Sequence, residues 1–201
     1  VIHLAAYQDH LTDFSRFFHV NAVGTALLYE LIVGERLPVQ RVVVASSQAV
    51  AGEGLHDCAT HGAIVPEQRS EAQLRARDWA VVCPLCRQPL TPRMTPEHVS
   101  SPHNSYAMAK RDQEEIALKL GRRYSIPSVA LRYSIVQGPR QSFRNAYSGA
   151  LRIFTVQALA GRAPLVYEDG RQLRDFVSVH DVAAATLLAL TDARTDGLAL
   201  N

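Results

Sequence analysis

The feature that most constrains this sequence of 201 residues is an alternation of short apolar runs with longer segments of helical period. Residues 1–6 and 41–45 are strand-like apolar runs, and between them apolar residues recur at helical spacing from about 11 to 33. The second run is β-branched and apolar, as expected for a strand covered on both faces. This alternation is typical of parallel βαβ units, so we predict an α/β fold built on a doubly wound parallel sheet.

The same rhythm returns in the second half of the chain. The elements predicted there are a helix at 105–124, a strand at 127–133 and two helices at 147–160 and 182–190. Between the last two helices, the turn dipeptide Asp169-Gly170 separates two strand-like runs, 165–167 and 174–177. A turn of this composition between two such runs predicts a β-hairpin.

Residues 53–103 differ from the rest of the chain, because they are rich in Cys, His and Pro and show no strong period. Loops longer than about 12 to 15 residues are uncommon in compact domains unless something organises them. Cys58 and His61 form one closely spaced pair of possible metal ligands, and Cys83 and Cys86 form another. Three thiolates and one imidazole would fill the tetrahedral shell of zinc, so we predict an insertion with a structural zinc ion.

Two alternatives remain open for this insertion. His56, His98 and His103 are rivals for His61 as the fourth ligand, because all three lie nearby in the sequence. The cysteines could also be free thiols beside a surface histidine, with no metal.

Composition and charge exclude several classes of protein. With 47% hydrophobic and 20% charged residues, the chain matches an ordinary globular protein and not a disordered or fibrous one. The net charge of +2 comes from scattered Lys and Arg without a long basic run, so nucleic acid is not an expected partner. We see no basic signal-peptide start and no apolar stretch that approaches membrane-spanning length. We therefore expect no membrane partner and predict a cytoplasmic location.

Tyr106 and Lys110 are four residues apart on a predicted helix, so their side chains project from one face. A phenol with a pKa near ~10 is a poor base at neutral pH, but a neighbouring ammonium stabilises the phenolate and lowers that pKa. Such a tyrosine could take a proton from a substrate hydroxyl while hydride leaves the same carbon. The pair also occurs by chance in amphipathic helices, so it needs support from elsewhere in the chain.

Ser46 and Ser47 provide that support, because they follow the predicted strand 41–45 directly. Open parallel sheets bind ligands beyond the carboxyl ends of their strands, where a hydroxyl could bind the reacting oxygen. The alternative interpretation of these serines is helix capping or a turn.

Together these motifs resemble the extended short-chain dehydrogenases, the NAD-dependent epimerase/dehydratase family that acts on nucleotide sugars. The resemblance covers nearly the whole chain. It rests on an ordered set of segments: the strand at 1–6, the helix signature at 21–25, the serine motif at 46–52, the Tyr/Lys motif at 106–110, the strand and loop at 131–141, and the segment 174–182.

The resemblance implies a role for each motif residue. Tyr106 would be the catalytic base, Lys110 would hold the nicotinamide ribose and lower the pKa of the tyrosine, and Ser47 would bind the substrate oxygen. The implied cofactor is NAD, bound by Ala5, Ala6, Ser46, Tyr106, Lys110 and Tyr133. The implied substrate is a nucleotide-diphosphate sugar, bound by Ser47, Gln48, Arg140 and Arg174. Arg174 would clamp the diphosphate, because a guanidinium matches phosphate oxygens, although a surface ion pair is its alternative role.

The resemblance also implies how the chain is divided. Residues 1–52 and 104–141 would belong to a Rossmann-type NAD-binding domain, interrupted by the insertion at 53–103, and 142–201 would be part of a substrate-binding region. The glycine-rich turn that cradles the cofactor pyrophosphate and the acidic residue that selects NAD are absent from the sequence. We therefore expect a fragment that binds NAD poorly on its own. The resemblance also implies homodimers that form through the two long helices.

The residues after the serine motif bear on the reaction. Dehydratases of the family usually carry an acidic pair there, whereas this chain has Gln48 and Ala49, which favours C4 epimerisation through a 4-keto intermediate. The Cys-rich insertion resembles that of a subset of the family similar to dTDP-L-rhamnose 4-epimerases, so a dTDP-hexose is the expected substrate. The alternatives are a nucleotide-sugar 4-reductase or dehydrogenase with the same residues, and a non-catalytic NAD-binding protein whose zinc knuckle contacts a partner.

Overall fold

The computed structural model describes residues 1–9, 11–142 and 149–201 of the chain. The strands are β1 (Ile2–His3), β2 (Val42–Ser47), β3 (His56–Cys58), β4 (Gly62–Ile64), β5 (Thr91–Pro92), β6 (Ser128–Tyr133), β7 (Ile135–Gln137), β8 (Phe176–Ser178) and β9 (Ala199–Leu200). The helices are α1 (Phe14–Phe17), α2 (Gly24–Gly34), α3 (Glu71–Arg75), α4 (Ser105–Arg123), α5 (Ala150–Leu159) and α6 (Val179–Thr191). A π-helical turn, Phe18–Val23, joins α1 and α2 into one continuous helix.

The main sheet is parallel and has the strand order β1-β2-β6-β9. Successive residues of a strand face opposite sides of the sheet. Val42 and Val44 of β2 accordingly pack with Tyr29 of α2 and Ala117 of α4, whereas Val43 packs in a cluster with Ala189 of α6. Helices thus cover both faces of the sheet, which confirms the predicted α/β fold.

The first strand is shorter and more exposed than the buried strand predicted at 1–6. The strand ends at His3, and Ile2 is 39% exposed. The chain turns away because the backbone of Tyr7 pairs with the side chain of Asn21. The Tyr7 N–H donates to Asn21 Oδ1 at 2.8 Å, and Asn21 Nδ2 donates to the Tyr7 carbonyl at 3.0 Å. The Asn21 amide thus satisfies the backbone N–H and carbonyl of Tyr7, which in a longer strand would bond to a neighbouring strand.

The continuous helix Phe14–Gly34 is long and apolar enough, by length and composition alone, to cross a membrane. This finding contradicts the expectation that no apolar stretch approaches that length. Core helices pass the same test, and Tyr29 and Ile32 of this helix are buried against β2. The helix is therefore weak evidence for a membrane span.

The insertion is organised around a small antiparallel sheet with the strand order β4-β3-β5, and α3 lies between β4 and β5 in the sequence. Its two ends lie together, because the Ser101 N–H donates to the Val50 carbonyl at 3.0 Å. Gly52 adopts a φ of +66°, and a Cβ at this position would collide with the Ser101 carbonyl. The close approach of the two chain segments therefore requires glycine here.

The hairpin predicted around Asp169-Gly170 is wrong, although the turn itself is present. Gly170 has a φ of +74°, and its N–H donates to the Tyr167 carbonyl at 3.3 Å. The run 165–167 forms no strand, and β8 pairs in parallel with β7 instead. Because β7 directly follows β6, it offers β8 an extended partner fixed to the main sheet, which an exposed run does not.

The helix predicted at 147–160 corresponds to α5, and the predicted start at Tyr147 lies outside the described residues. The helix ends at Leu159, one residue before the predicted end, and Gly161 follows it with a φ of +67°. The Arg162 N–H then donates to the Gln157 carbonyl at 2.8 Å, a bond typical of helix ends closed by a left-handed glycine.

Candidate active site and metal centre

Helix α4 carries Tyr106 and Lys110 and packs against β2. Asn104 caps the helix, because its Oδ1 accepts a hydrogen bond from the Ala107 N–H at 2.8 Å. The buried residues of α4 are Tyr106, Ala107, Ala109, Lys110, Gln113, Glu114, Ala117 and Gly121. Three of these carry strongly polar or charged side chains, and buried polar groups need partners.

The ammonium of Lys110 is buried at the end of β2. Its Nζ donates to the Ala45 carbonyl at 2.7 Å and to Gln113 Oε1 at 2.8 Å. The same nitrogen lies 5.9 Å from the centroid of the Tyr106 ring. Burial lowers the pKa of Lys110 from 10.5 to about 8, and the charge of Glu114 opposes this shift in part. The structure therefore places a poorly hydrated cation beside the aromatic ring.

The direction of the hydrogen bonds behind Lys110 is fixed. The Thr25 hydroxyl donates to the Asn21 carbonyl at 2.7 Å, so its oxygen accepts from Gln113 Nε2 at 2.9 Å. Gln113 must then turn its Oε1 toward the ammonium, since an amide has one donating and one accepting end. His3 Nε2 lies 3.0 Å from the same Thr25 oxygen, which extends the network to β1.

Tyr106 is 8% exposed and belongs to an apolar cluster against which Ala49 packs. Ser47 lies in the chain between Ala45, which binds Lys110, and Ala49. The predicted serine, tyrosine and lysine are thus linked by direct contacts of α4 with the end of β2 and the turn after it.

The two serines have different partners. Ser47 Oγ accepts a hydrogen bond from the Ala49 N–H at 3.2 Å and caps the short 3-10 helix Gln48–Ala51, which is the helix-capping role considered as an alternative. Its hydroxyl proton is not used in that bond. Ser46 is buried, and its hydroxyl donates to Glu114 Oε1 at 2.5 Å. Ser46 can therefore offer a cofactor its lone pairs but not its proton.

A buried ion pair that no sequence motif predicts lies beside these groups. Arg132 of β6 donates to both carboxylate oxygens of Glu114, at 2.8 and 2.9 Å, and both side chains are almost fully buried. Arg132 also donates to the Glu97 carbonyl at 2.8 Å, near the end of the insertion. Two signals could have revealed the pair. Glu114 follows Lys110 at helical spacing, and a charged residue interrupts the apolar strand at Arg132.

The carboxyl end of the sheet brings further predicted residues together. Tyr133 lies opposite Ser47 in the register of β2 and β6, and its hydroxyl oxygen is 2.6 Å from Thr186 Oγ1 of α6. This contact connects the predicted cofactor residue to the opposite face of the sheet.

Gln48 is connected to the segment that carries Arg174. The Ser134 hydroxyl lies 3.2 Å from Gln48 Oε1 and donates to the Asp175 carbonyl. Arg174 is exposed, and its guanidinium donates to the Leu173 carbonyl at 2.7 Å. Five other residues with predicted roles are exposed, namely Ala5, Ala6, Gln48, His61 and Arg140.

The four predicted metal ligands lie together in the insertion. The ligand atoms of Cys58, His61, Cys83 and Cys86 are all within 4.8 Å of one another. Cys58 Sγ is 3.6 Å from both His61 Nδ1 and Cys86 Sγ, and Cys83 Sγ is 3.5 Å from His61 Nδ1. Bonds of about 2.0 to 2.3 Å to a tetrahedral zinc ion would separate its ligands by roughly 3.5 to 3.8 Å. Both the donor set and its spacing fit zinc.

The surroundings favour thiolate at Cys58 but not at Cys86, whose pKa is raised by burial and by the neighbouring cysteines. The backbone N–H groups of Thr60 and His61 lower the pKa of the Cys58 thiol to about 6. The rival histidines have other surroundings in the part of the chain that the structure describes. His56 Nδ1 lies 3.3 Å from the Gly54 carbonyl, His103 lies beside Gly52, and His98 is exposed.

The sequence of this chain matches a family of known proteins. The profile of the NAD dependent epimerase/dehydratase family matches residues 82–201. The chain is 35% identical over 193 residues to dTDP-L-rhamnose 4-epimerase of Burkholderia thailandensis, and the match covers 94% of this chain and 52% of that relative. The chain thus spans about half the length of this relative.

Two solved structures share the fold over the whole chain. One is a UDP-N-acetylglucosamine 4-epimerase from Methanobrevibacter ruminantium in complex with UDP-N-acetylmuramic acid, with 26% identity, a TM-score of 0.68 and a match to 53% of its own chain. The other is MoeE5 in complex with UDP-glucose and NAD, with 28% identity, a TM-score of 0.65 and a match to 54% of its chain. With a matching profile, a 35% identical relative and a Rossmann-like sheet, this chain belongs to the NAD dependent epimerase/dehydratase family.

Proposed function

We propose that these residues form the catalytic part of an NAD-dependent epimerase that inverts C4 of a dTDP-hexose. The observation that carries the proposal is the buried ammonium of Lys110, 5.9 Å from the centre of the Tyr106 ring, at the end of the strand that carries Ser47. The relative that acts on dTDP-L-rhamnose supports the choice of nucleotide and sugar.

In this proposal Tyr106 takes the proton of the C4 hydroxyl. The nearby ammonium of Lys110 stabilises the phenolate more than the phenol, which makes Tyr106 a better base. Ser47 donates its hydroxyl proton to the same sugar oxygen, while its Oγ still accepts the hydrogen bond from the Ala49 N–H. Once the 4-keto sugar has turned in the site and regained hydride on its other face, Tyr106 returns the proton to the oxygen.

NAD would supply the hydride acceptor and donor for this reaction. We assign its binding to Ala5, Ala6, Ser46, Tyr106, Lys110 and Tyr133. Lys110 fits this role because an ammonium has three protons, and Ala45 and Gln113 use two of them. The third is available for a ribose hydroxyl.

The substrate would lie across the carboxyl end of the sheet. We assign its binding to Ser47, Gln48, Arg140 and Arg174. Arg174 would bind the diphosphate, since a guanidinium fork matches phosphate oxygens. The link from Gln48 through Ser134 to Asp175 supports this placement, because it connects the sugar end of the site to the neighbour of Arg174.

We also propose that Cys58, His61, Cys83 and Cys86 bind one zinc ion. With three thiolates and one imidazole the shell of a tetrahedral ion is complete, so the ion would stabilise the insertion and take no part in catalysis. The separations of 3.5 and 3.6 Å between ligand atoms support this proposal.

The division of the chain and its assembly follow from the same proposal. Residues 1–52 and 104–141 would form the NAD-binding part, 53–103 the zinc insertion and 142–201 part of the substrate-binding region. A homodimer through α2 and α4 is supported by Leu27 and Leu31, which are four residues apart and 53% and 54% exposed. We also propose a cytoplasmic location, where cysteines stay reduced and can bind a metal ion.

Epimerisation by the whole protein is the direct test of this function. With NAD and a dTDP-hexose we expect the C4 epimers to interconvert, as followed by proton NMR, without net use of the cofactor. Tyr106→Phe should lower kcat by about a hundredfold to ten-thousandfold, because the base is lost. Tyr124→Phe is the matched control, since Tyr124 follows the last turn of the same helix and is 50% exposed.

Three results would contradict the proposal. Full turnover by Tyr106→Phe would refute the base assignment. Stoichiometric consumption of reduced nicotinamide, followed by its absorbance, would identify a reductase. Retention of NAD without turnover of any sugar nucleotide would favour a non-catalytic binding protein.

A further inference from the structure

An ion pair joins the insertion to the segment that precedes Arg174. Arg69 donates two parallel hydrogen bonds to the carboxylate of Glu168, at 2.7 and 3.0 Å, across 99 residues of sequence. The side chains are 22% and 20% exposed, so the pair is partly shielded from water. The contact raises the pKa of Arg69 and lowers the pKa of Glu168, as a two-point contact between opposite charges should.

The segment 162–174 has little apolar packing of its own. It contains no helix or strand, and Leu165 and Leu173 are 66% and 71% exposed. Glu168 lies in a turn and has a φ of +54°. A segment with few buried apolar contacts is held weakly, so a two-point ion pair has a large influence on its position.

Arg69 is in turn held by the part of the insertion that carries the metal ligands. Its guanidinium also donates to the Trp79 carbonyl at 3.3 Å, and Gln73 donates to the carbonyl of the residue after Trp79 at 2.7 Å. The residues that follow pair with 88–90 in a short antiparallel ladder that includes the Cys83 N–H. Arg69 therefore lies on a continuous path of contacts between the Cys/His cluster and Glu168.

We propose that Arg69 is a positioning residue for the nucleotide-sugar site, and that by fixing Glu168 it holds segment 162–174 where Arg174 can meet the diphosphate. This inference rests on the proposed function, in which Arg174 binds that diphosphate. Arg69 touches no substrate. It acts by ordering the segment before the ligand arrives, so that binding loses less conformational freedom. The insertion thereby serves substrate affinity and leaves the chemistry of Tyr106 unchanged.

The test uses Arg69→Gln in the whole protein, with dTDP as the binding probe and a dTDP-hexose as the substrate. We expect the Kd for dTDP and the KM for the sugar nucleotide to rise about three- to fivefold with kcat unchanged, as suits a partly exposed ion pair. Exchange of the two charges, Arg69→Glu with Glu168→Arg, should restore part of the loss. Arg75→Gln removes an exposed ion pair with Glu71 in the same insertion and should change neither constant.

A second measurement distinguishes loosening of segment 162–174 from unfolding of the insertion. Hydrogen exchange in Arg69→Gln should accelerate within 162–174 and stay unchanged at 56–64, where β3 and β4 lie. Unchanged Kd and KM in Arg69→Gln, with Arg174→Gln still weakening dTDP on the order of tenfold, would overturn the inference and leave the diphosphate assignment standing. Unchanged dTDP affinity in Arg174→Gln would overturn both. A loss confined to kcat would also overturn the inference.

Discussion

The interface of α4 with the main sheet and the Cys/His insertion both bring polar side chains together, but their partners differ. At the interface, Lys110 and Glu114 bind the Ala45 carbonyl and Arg132, which are parts of the sheet itself. In the insertion, Cys58 and its three companions lie around a common point and contact one another. Strands of two or three residues surround them, compared with six-residue strands beside α4.

This difference determines how far the loss of one side chain destabilises the rest of the fold. At the interface, each buried charge depends on a partner in the core, so removing one partner leaves an unpaired charge in the fold. In the insertion, four side chains depend on whatever binds between them, so a loss there is local. The geometry of the proposed catalytic site and global stability are therefore coupled in the first region, whereas the insertion can unfold alone.

Glu114→Ala is the largest expected effect, because it leaves Arg132 charged and buried without its carboxylate partner. We expect the free energy of unfolding to fall by about 3 to 5 kcal/mol, measured by urea denaturation. Glu115→Gln is the matched control, since Glu115 is the next residue of α4 and pairs on the surface with Lys119. That control should cost less than about 1 kcal/mol. Equal losses in the two variants would show that the core is not coupled to this pair.

The pH dependence of stability gives a smaller effect at the same interface. Burial lowers the pKa of Lys110 from 10.5 to about 8, so between these values the unfolded chain holds a proton that the folded chain has released. Stability should therefore rise with pH across this window, by up to about 3 kcal/mol without NAD. Lys110→Met should lack this rise, as measured by denaturation at about pH 7.5 and about pH 10, two values that span most of the window. Parallel profiles for the two proteins would show that Lys110 does not titrate there.

Cys58→Ala tests the insertion and should have the smallest effect on the core. We expect bound zinc to fall from about one equivalent to less than half, and proteases to cut within 53–103 more readily. The free energy of unfolding of the main sheet should change by less than about 1 kcal/mol. His98→Ala, at an exposed histidine of the same insertion, should keep the metal. A wild-type protein prepared without chelator that carries no zinc would refute the metal proposal.

The parts of the fold that follow from local pattern could be predicted from the sequence. The β-branched run 41–45 and the helical period at 105–124 correspond closely to β2 and α4. Cys58 and Cys86 could be placed together because closely spaced cysteines and histidines have few other uses in such a chain. In these cases the information lies in neighbouring residues.

The parts that depend on distant partners could not be predicted in the same way. The pairing of β8 with β7 joins residues about forty positions apart and overrides the turn at Asp169-Gly170. The bonds of Ser46 and Arg132 to Glu114 arise because the register of β2 with β6 places both residues next to each other beneath α4. The register between two strands depends on how the whole sheet packs, so it cannot be predicted from the sequence of either strand alone.

The hydrogen bond between Val50 and Ser101 has a consequence for how such proteins diversify. The two ends of the insertion lie next to each other. The insertion can therefore change in length or sequence without displacing Ser47 or Tyr106. The same insertion forms an ion pair with Glu168 through Arg69. Evolution could thus alter how the proposed diphosphate site is held by exchanging this insertion, while Ser47 and Tyr106 are inherited intact.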